Sequence, residues 1–299
     1  MPRVWLDTDI GSDIDDAVAL LCAVRHPDID LVGVSTVMGR VEIRTWLVSE
    51  MLQRAGHPDI PVLPGAMLPL SGGDLDEGVP SYGRLAPDLP PSDPAGDDAR
   101  IEAIAEAMAA LPRPFHVVPV GPLTNIGRLL QSHPDVSSQW EGVTCMAGRL
   151  EGDAEYNVKC DATAARTVFD QLAPRLVGLE ACSNTLTREE AEAALDPSDP
   201  ASAFLLDCYA HYRQHAGWHE ERATAPLTLF DPIAMLSLVA PRAFNIQDVH
   251  VLVEHDGRMR LTDDGVSVFY ALSSNWNVLK PLITDLLRGA APAPPAPPA

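Results

Sequence analysis

"VWLDTDIGSDIDDAVALL" (residues 4–21) joins an apolar run to an amphipathic one through ten residues, 7–16, that hold five aspartates. The segment "RVWL" (3–6) has the unbroken apolar character of a strand covered on both faces, and "DDAVALLCAVRH" (15–26) has the spacing of an amphipathic helix. A strand that feeds directly into a helix is the start of an α/β unit. The same alternation recurs along the chain: strand 29–37, helix 41–56, short strand "PVLPG", helix 98–111, strand 115–120, helix 122–131, strand 142–148, helix 161–170 and strand 175–181. Strands of this kind predict an α/β fold, a mostly parallel central sheet flanked by helices. In such sheets ligands bind beyond the carboxyl ends of the strands. The polar clusters "DTDIGSDIDD", "TVMGR", "VGPLTN" and "AGRLEGDAEYN" all fall at such ends, which points to one shared site.

Residues 68–97 are rich in Gly, Pro, Asp and Ser and read as a long functional loop. After residue 200 the order changes to helices 200–216 and 230–239, strands near 248–255 and 265–272, and helix 275–288. The expectation is one domain over residues 1–289 with extra C-terminal helices and strands. The Pro/Ala-rich tail 290–299 is expected to be disordered.

The chain has 299 residues, of which 46% are hydrophobic, and 21 Lys plus Arg stand against 42 Asp plus Glu, a formal charge of −21. A surface this acidic repels nucleic acid and anionic lipid, so neither is an expected partner; cations and small substrates are. No apolar run has the length of a signal peptide or a membrane span. Five scattered cysteines without CxxC pairing read as reduced, packed thiols, and the expected location is the cytoplasm.

One aspartate, Asp13 or Asp15, suffices to cap the helix that opens at residue 15. Five require more. Asp7 and Asp9 share a side if the strand continues, and Asp15 and Asp16 open the helix across the Gly11 turn. Carboxylates converging at a strand end need a cation to offset their repulsion. All-oxygen donors without His or Cys suit Ca²⁺ or Mg²⁺.

The stretch Asp7–Ala17, "DTDIGSDIDDA", resembles the aspartate-rich DxDxGxDDA signature of the inosine/uridine-type nucleoside hydrolases. Ile10 stands where proline is common, and the spacing before the paired aspartates is extended. The resemblance continues through "VGPLTNIGRLL" (120–130), "AEYNVKCDATAARTVF" (154–169), "LVGLEACSNTLT" (176–187) and "FDPIAML" (230–236). It implies hydrolysis of ribonucleosides to base and ribose and a homo-oligomer, dimer or tetramer. It also implies a Ca²⁺ held by Asp9, Asp16, the main-chain carbonyl of Thr124 and Asp231. Asp9 would also serve as the base toward the attacking water, and Asp15, Glu155 and Asn157 would read the ribose hydroxyls, together with the metal and its ligand Asp231.

Three positions depart from the pattern. Phe230 stands where the pyrimidine-accepting branch carries a histidine, which favours the purine-preferring branch with Phe230 stacked on the base and Tyr82 on its opposite face. Arg40, in "TVMGR", and Arg149 stand where Asn or Asp is usual near the substrate; an arginine is no acid but binds carbonyls and anions. His219, or its neighbour His215, is the candidate replacement for the missing acid. Two rival readings remain at this point. One is a ribose-binding relative without turnover. The other is a haloacid-dehalogenase-like phosphatase, which lacks its expected residues after Asp9.

Overall fold

The computed structural model describes residues 1–72, 78–215 and 225–290. The expected acid His219 and residues 291–299 of the proline-rich tail lie outside these. The elements in chain order are β1 (Arg3–Thr8), α1 (Asp15–Arg25), β2 (Asp30–Thr36), α2 (Val41–Arg54), β3 (Val62–Pro64), α3 (Asp97–Ala110), β4 (Phe115–Pro119), α4 (Thr124–Ser132) and β5 (Trp140–Met146). There follow α5 (Tyr156–Cys160), α6 (Ala162–Leu172), β6 (Arg175–Val177), α7 (Leu179–Cys182), β7 (Thr185–Leu186), α8 (Arg188–Ala194) and α9 (Pro200–His215). The last are β8 (Leu227–Thr228), α10 (Phe230–Leu236), β9 (Phe244–Val253), β10 (Met259–Leu261), β11 (Val266–Ser274) and α11 (Trp276–Leu287).

The central sheet runs β10–β9–β11–β6–β5–β4–β1–β2–β3. From β3 to β11 every neighbouring pair is parallel, while β9 returns antiparallel to β11 and β10 antiparallel to β9. The expected mostly parallel α/β sheet is therefore present. Its strand order moves outward from β1 to β3 and then restarts on the other side of β1 with β4. The crevice beyond the ends of β1 and β4 is thus the topological switch point, where sheets of this kind bind ligands.

Alternation along the buried strands sorts side chains onto two faces. Val4 and Leu6 join the core beneath α1, α2, α9, α10 and α11, whereas Trp5 joins the core beneath α3, α4 and α6. The Trp5 indole lies flat over Gly33 of β2, where any side chain would collide with it, and donates to Ser35 Oγ at 2.9 Å.

The structure revises several boundaries. The strand expected over 175–181 stops at Val177, and the chain turns into α7 at Gly178, whose carbonyl accepts from the N–H groups of Ala181 (2.9 Å) and Cys182 (3.2 Å). Strand β9 begins at Phe244, ahead of the expected 248, since it pairs along its length with β11. Among the described residues, no helix is long and apolar enough to cross a membrane.

Candidate active site

Strand β1 carries the first aspartates to the switch point and then turns. Asp7 and Asp9 do not share a side, because the strand ends at Thr8, whose hydroxyl oxygen accepts from the Ile10 N–H at 3.1 Å. Asp7 faces inward, where Ser35 Oγ and Asn125 Nδ2 (2.7 Å) donate to it; burial pushes its carboxyl up to about 7. Asp9 faces the crevice and rests on Gly121, where a Cβ would stand 2.7 Å from Asp9 Oδ1. Gly11, at φ +121°, completes the turn.

A guanidinium organises this turn from below. Arg44 of α2 is fully buried and donates from Nε to the Met38 carbonyl (2.8 Å) and from Nη1 to the carbonyls of Asp9 and Ile10, the latter at 3.0 Å. Met38 itself sits at φ +75°, a strained conformation for a side-chain-bearing residue, held by its N–H to the Ala66 carbonyl at 2.8 Å. The sequence reading did not single out Arg44. Its mark is an arginine among the apolar positions Val41, Leu47 and Val48 of one amphipathic helix.

Asp15 and Asp16 open α1, and Asp231 lies in the first turn of α10, which packs against it. Their carboxylates bring three oxygens within 4.8 Å of one another, and all three residues are buried. Asp15 Oδ2 also accepts from the Asp231 N–H at 3.4 Å, and the Thr8 hydroxyl donates to Asp16. Burial raises all three carboxyls well above the usual range, and the neighbouring acids Asp9 and Asp13 raise them further; on Asp16, Arg44 works in the opposite direction. Mutually repelling, desolvated oxygens with no nitrogen or sulfur donor among them fit a hard divalent cation.

This triad lies in a cavity of about 800 Å³, within the range of small-molecule sites. Its walls also include Asp9, Asp13, Glu155, Asn157, Phe230, His215 and Arg84. Glu155 is buried and caps α5, accepting from the N–H groups of Gly148 (3.0 Å), Asn157 (2.7 Å) and Val158 (3.1 Å). Asn157 Nδ2 donates to the carbonyls of Val120 (2.7 Å) and Met146 (3.0 Å), at the ends of β4 and β5, so its Oδ1 is left for a ligand.

The expected residues do not all arrive. Asp15 rather than Asp9 completes the closest triad, while Asp9 lies beside Asp16. Thr124 begins α4 with its hydroxyl donated to Asp161 at 2.7 Å and is not among the described residues that line the cavity. Tyr82 is no wall of the cavity: its side chain is fully buried in the core. Arg40 pairs with Glu42 and donates to the Leu89 carbonyl at 3.0 Å, fastening the long loop, and is not among the described residues that line the cavity. Arg149 lines a separate cleft with Glu151 and Glu180.

The family of inosine-uridine preferring nucleoside hydrolases matches residues 4–281. The chain belongs to this family. As a member it is a hydrolase of N-glycosyl compounds. It is 29% identical over 299 residues to a probable uridine nucleosidase 1 of Oryza sativa subsp. japonica, covering 94% of this chain and 90% of the relative. Two solved structures share the fold. A plant nucleoside hydrolase superposes with TM-score 0.78 at 22% identity, covering 96% of this chain and 99% of the other. A purine-preferring ribonucleoside hydrolase from Gardnerella vaginalis gives 0.75 at 21%, covering 96% and 98%.

Proposed function

We propose that this nucleoside hydrolase is Ca²⁺-dependent and leans toward purine ribonucleosides. The observation that carries the reading is the buried carboxylate triad of Asp15, Asp16 and Asp231 at the switch point of the sheet. On the family resemblance we assign Asp9, Asp16 and Asp231 as the cation's side-chain ligands, and Asp15, the third member of the cluster, to the ribose hydroxyls. A divalent cation bound there would supply Lewis acidity toward water and an anchor for vicinal hydroxyls.

The chain's own groups account for the remaining chemistry. Asp9 takes the proton of a water whose oxygen adds to the sugar's anomeric carbon while the carbon–nitrogen bond breaks. The ring of carboxylates stabilises the positive charge that builds on the sugar. Glu155 and Asn157, fixed by their main-chain bonds, present acceptor oxygens to the ribose hydroxyls, so a deoxyribose would leave buried polar groups unpaired. Phe230, half-buried on the cavity wall next to Asp231, offers its face to the base. The base departs with the bonding electrons and needs a proton, for which His215 and His219 are the assigned donors. His215 lines the cavity, and since a carbonyl only accepts, its Nδ1 donates to the His211 carbonyl (2.9 Å), so the proton for the leaving group comes from Nε2 of the doubly protonated ring.

The test is release of reducing sugar from inosine and uridine, with Ca²⁺ and with a chelator. Inosine turnover that vanishes on chelation and returns with Ca²⁺ supports the reading. Turnover indifferent to chelation, or absent altogether, overturns it.

A further inference from the structure

Among the described residues six carboxylates line the cavity: Asp9, Asp13, Asp15, Asp16, Glu155 and Asp231. Among the described lining residues one is a permanently charged cation, Arg84, from the segment that also brings Val79, Pro80 and Ser81 to the cavity. Arg84 is exposed and makes no hydrogen bond or ion pair among the described residues, in a chain with twice as many acids as Lys plus Arg. Two other arginines near the site are committed: Arg44 to the aspartate turn and Arg40 to Glu42.

The backbone that presents Arg84 is anchored on two sides. The Tyr82 N–H donates to the Gly11 carbonyl at 3.1 Å, and its ring is sunk in the core. A Cβ on Gly83 would stand 2.8 Å from Ile43 Cγ2 of α2, and one on Gly11 would stand 3.0 Å from Pro80 Cβ. Tyr82, expected to stack on a base, is instead the anchor that places Arg84 at the rim. A guanidinium is a planar fork of donors that pairs most strongly with phosphate and carboxylate, whereas a neutral nucleoside offers it only uncharged carbonyl and ring-nitrogen acceptors.

Resting on the hydrolase reading, we propose that Arg84 is a specificity residue for a ribosyl substrate that carries an anionic oxygen group. The group is either a phosphate on the sugar or a carboxylate on the base. Arg84 holds that group while the carboxylate floor holds the ribose.

Equilibrium titration in calcium-containing buffer tests this with ligands that cannot turn over. Ribose 5-phosphate is compared with ribose for the phosphate source, and orotate with uracil for the carboxylate source. The expected result is that at least one anionic member binds about tenfold or more tightly than its neutral partner. That preference should fall toward one in Arg84→Ala, be partly kept in Arg84→Lys, and shrink as salt rises. Preference near one for both pairs in the native protein, or a preference that survives Arg84→Ala, overturns the assignment. Inosine hydrolysis measured in parallel separates the two claims. Without turnover but with an Arg84-dependent preference, the hydrolase reading fails and the anion site stands. Turnover without that preference gives the converse.

Discussion

The Arg44 guanidinium lies buried under the aspartate turn and donates through Nη1 to the main-chain carbonyl of Asp9. One positive charge, delivered from α2, thereby fixes the backbone from which the crevice-facing Asp9 carboxylate projects, and it eases the ionisation of Asp16. Arg44→Met should leave the carbonyls of Met38, Asp9 and Ile10 without this donor, and a buried unsatisfied polar group costs about 1–3 kcal/mol. A clearly lowered melting temperature and a large loss of kcat are expected. Arg44→Lys should recover little, since an ammonium cannot reproduce the separate Nε and Nη1 donors. Native-like melting and turnover in Arg44→Met would show the turn to be self-supporting.

Cation binding should change how stability depends on pH. In the metal-free protein the carboxyls of Asp15, Asp16 and Asp231 have folded pKa values raised above the unfolded value of about 3.9. The folded state then binds more protons than the unfolded one, so stability is lost as pH rises from about 4 through the raised values. A bound divalent cation favours the ionised forms and removes this loss. Melting in chelator is therefore expected to drop as pH rises above about 4, and the increment on adding Ca²⁺ to grow with pH. No increment at pH 8 would count against a cation among these residues.

Asp9→Asn keeps the shape of the side chain that rests on Gly121 but removes the proton acceptor. Loss of a general base costs about 10²–10⁴ in rate, and weaker cation binding adds to it. The variant should melt close to the native protein yet hydrolyse inosine at least a hundredfold more slowly at saturating Ca²⁺. Retention of most activity would remove Asp9 from the base role.

The parallel sheet could be read from the sequence because each strand buried on both faces is a continuous apolar run, and the aspartates were conspicuous because so many stood at one strand end. What escaped was set by distant neighbours. Position 178 has to be a glycine because Tyr270, from β11, occupies the space a side chain would need. Tyr82 lies in a polar loop yet is pulled into the core by the Gly11 contact, which spacing does not reveal. Helix α8 did carry a local signal, the capping box of Thr187 and Glu190 in "TREE". Asp9 and Asp16 were expected to share a cation with Asp231; that Asp15 joins the closest triad depends on how α10 packs on α1.

The base preference rests on Phe230, at the cavity wall in the first turn of α10 and partly packed against the core. A purine offers a larger π-face and a protonatable ring nitrogen, whereas uracil needs a positioned acid to leave. Aromatic stacking contributes about 0.5–1.5 kcal/mol beyond burial, and Phe230→Ala also removes the apolar contact area that the ring supplies. A fall of about tenfold or more in kcat/KM for inosine is expected, with uridine turnover low in both proteins. His215→Gln should lower kcat for inosine more than it raises KM, because its proton is needed only as the base departs. If uridine is cleaved as fast as inosine and Phe230→Ala is silent, Phe230 is a packing residue. Base departure would then depend on the histidines alone, and the uridine rates of His215→Gln and His219→Gln would identify which one supplies the proton.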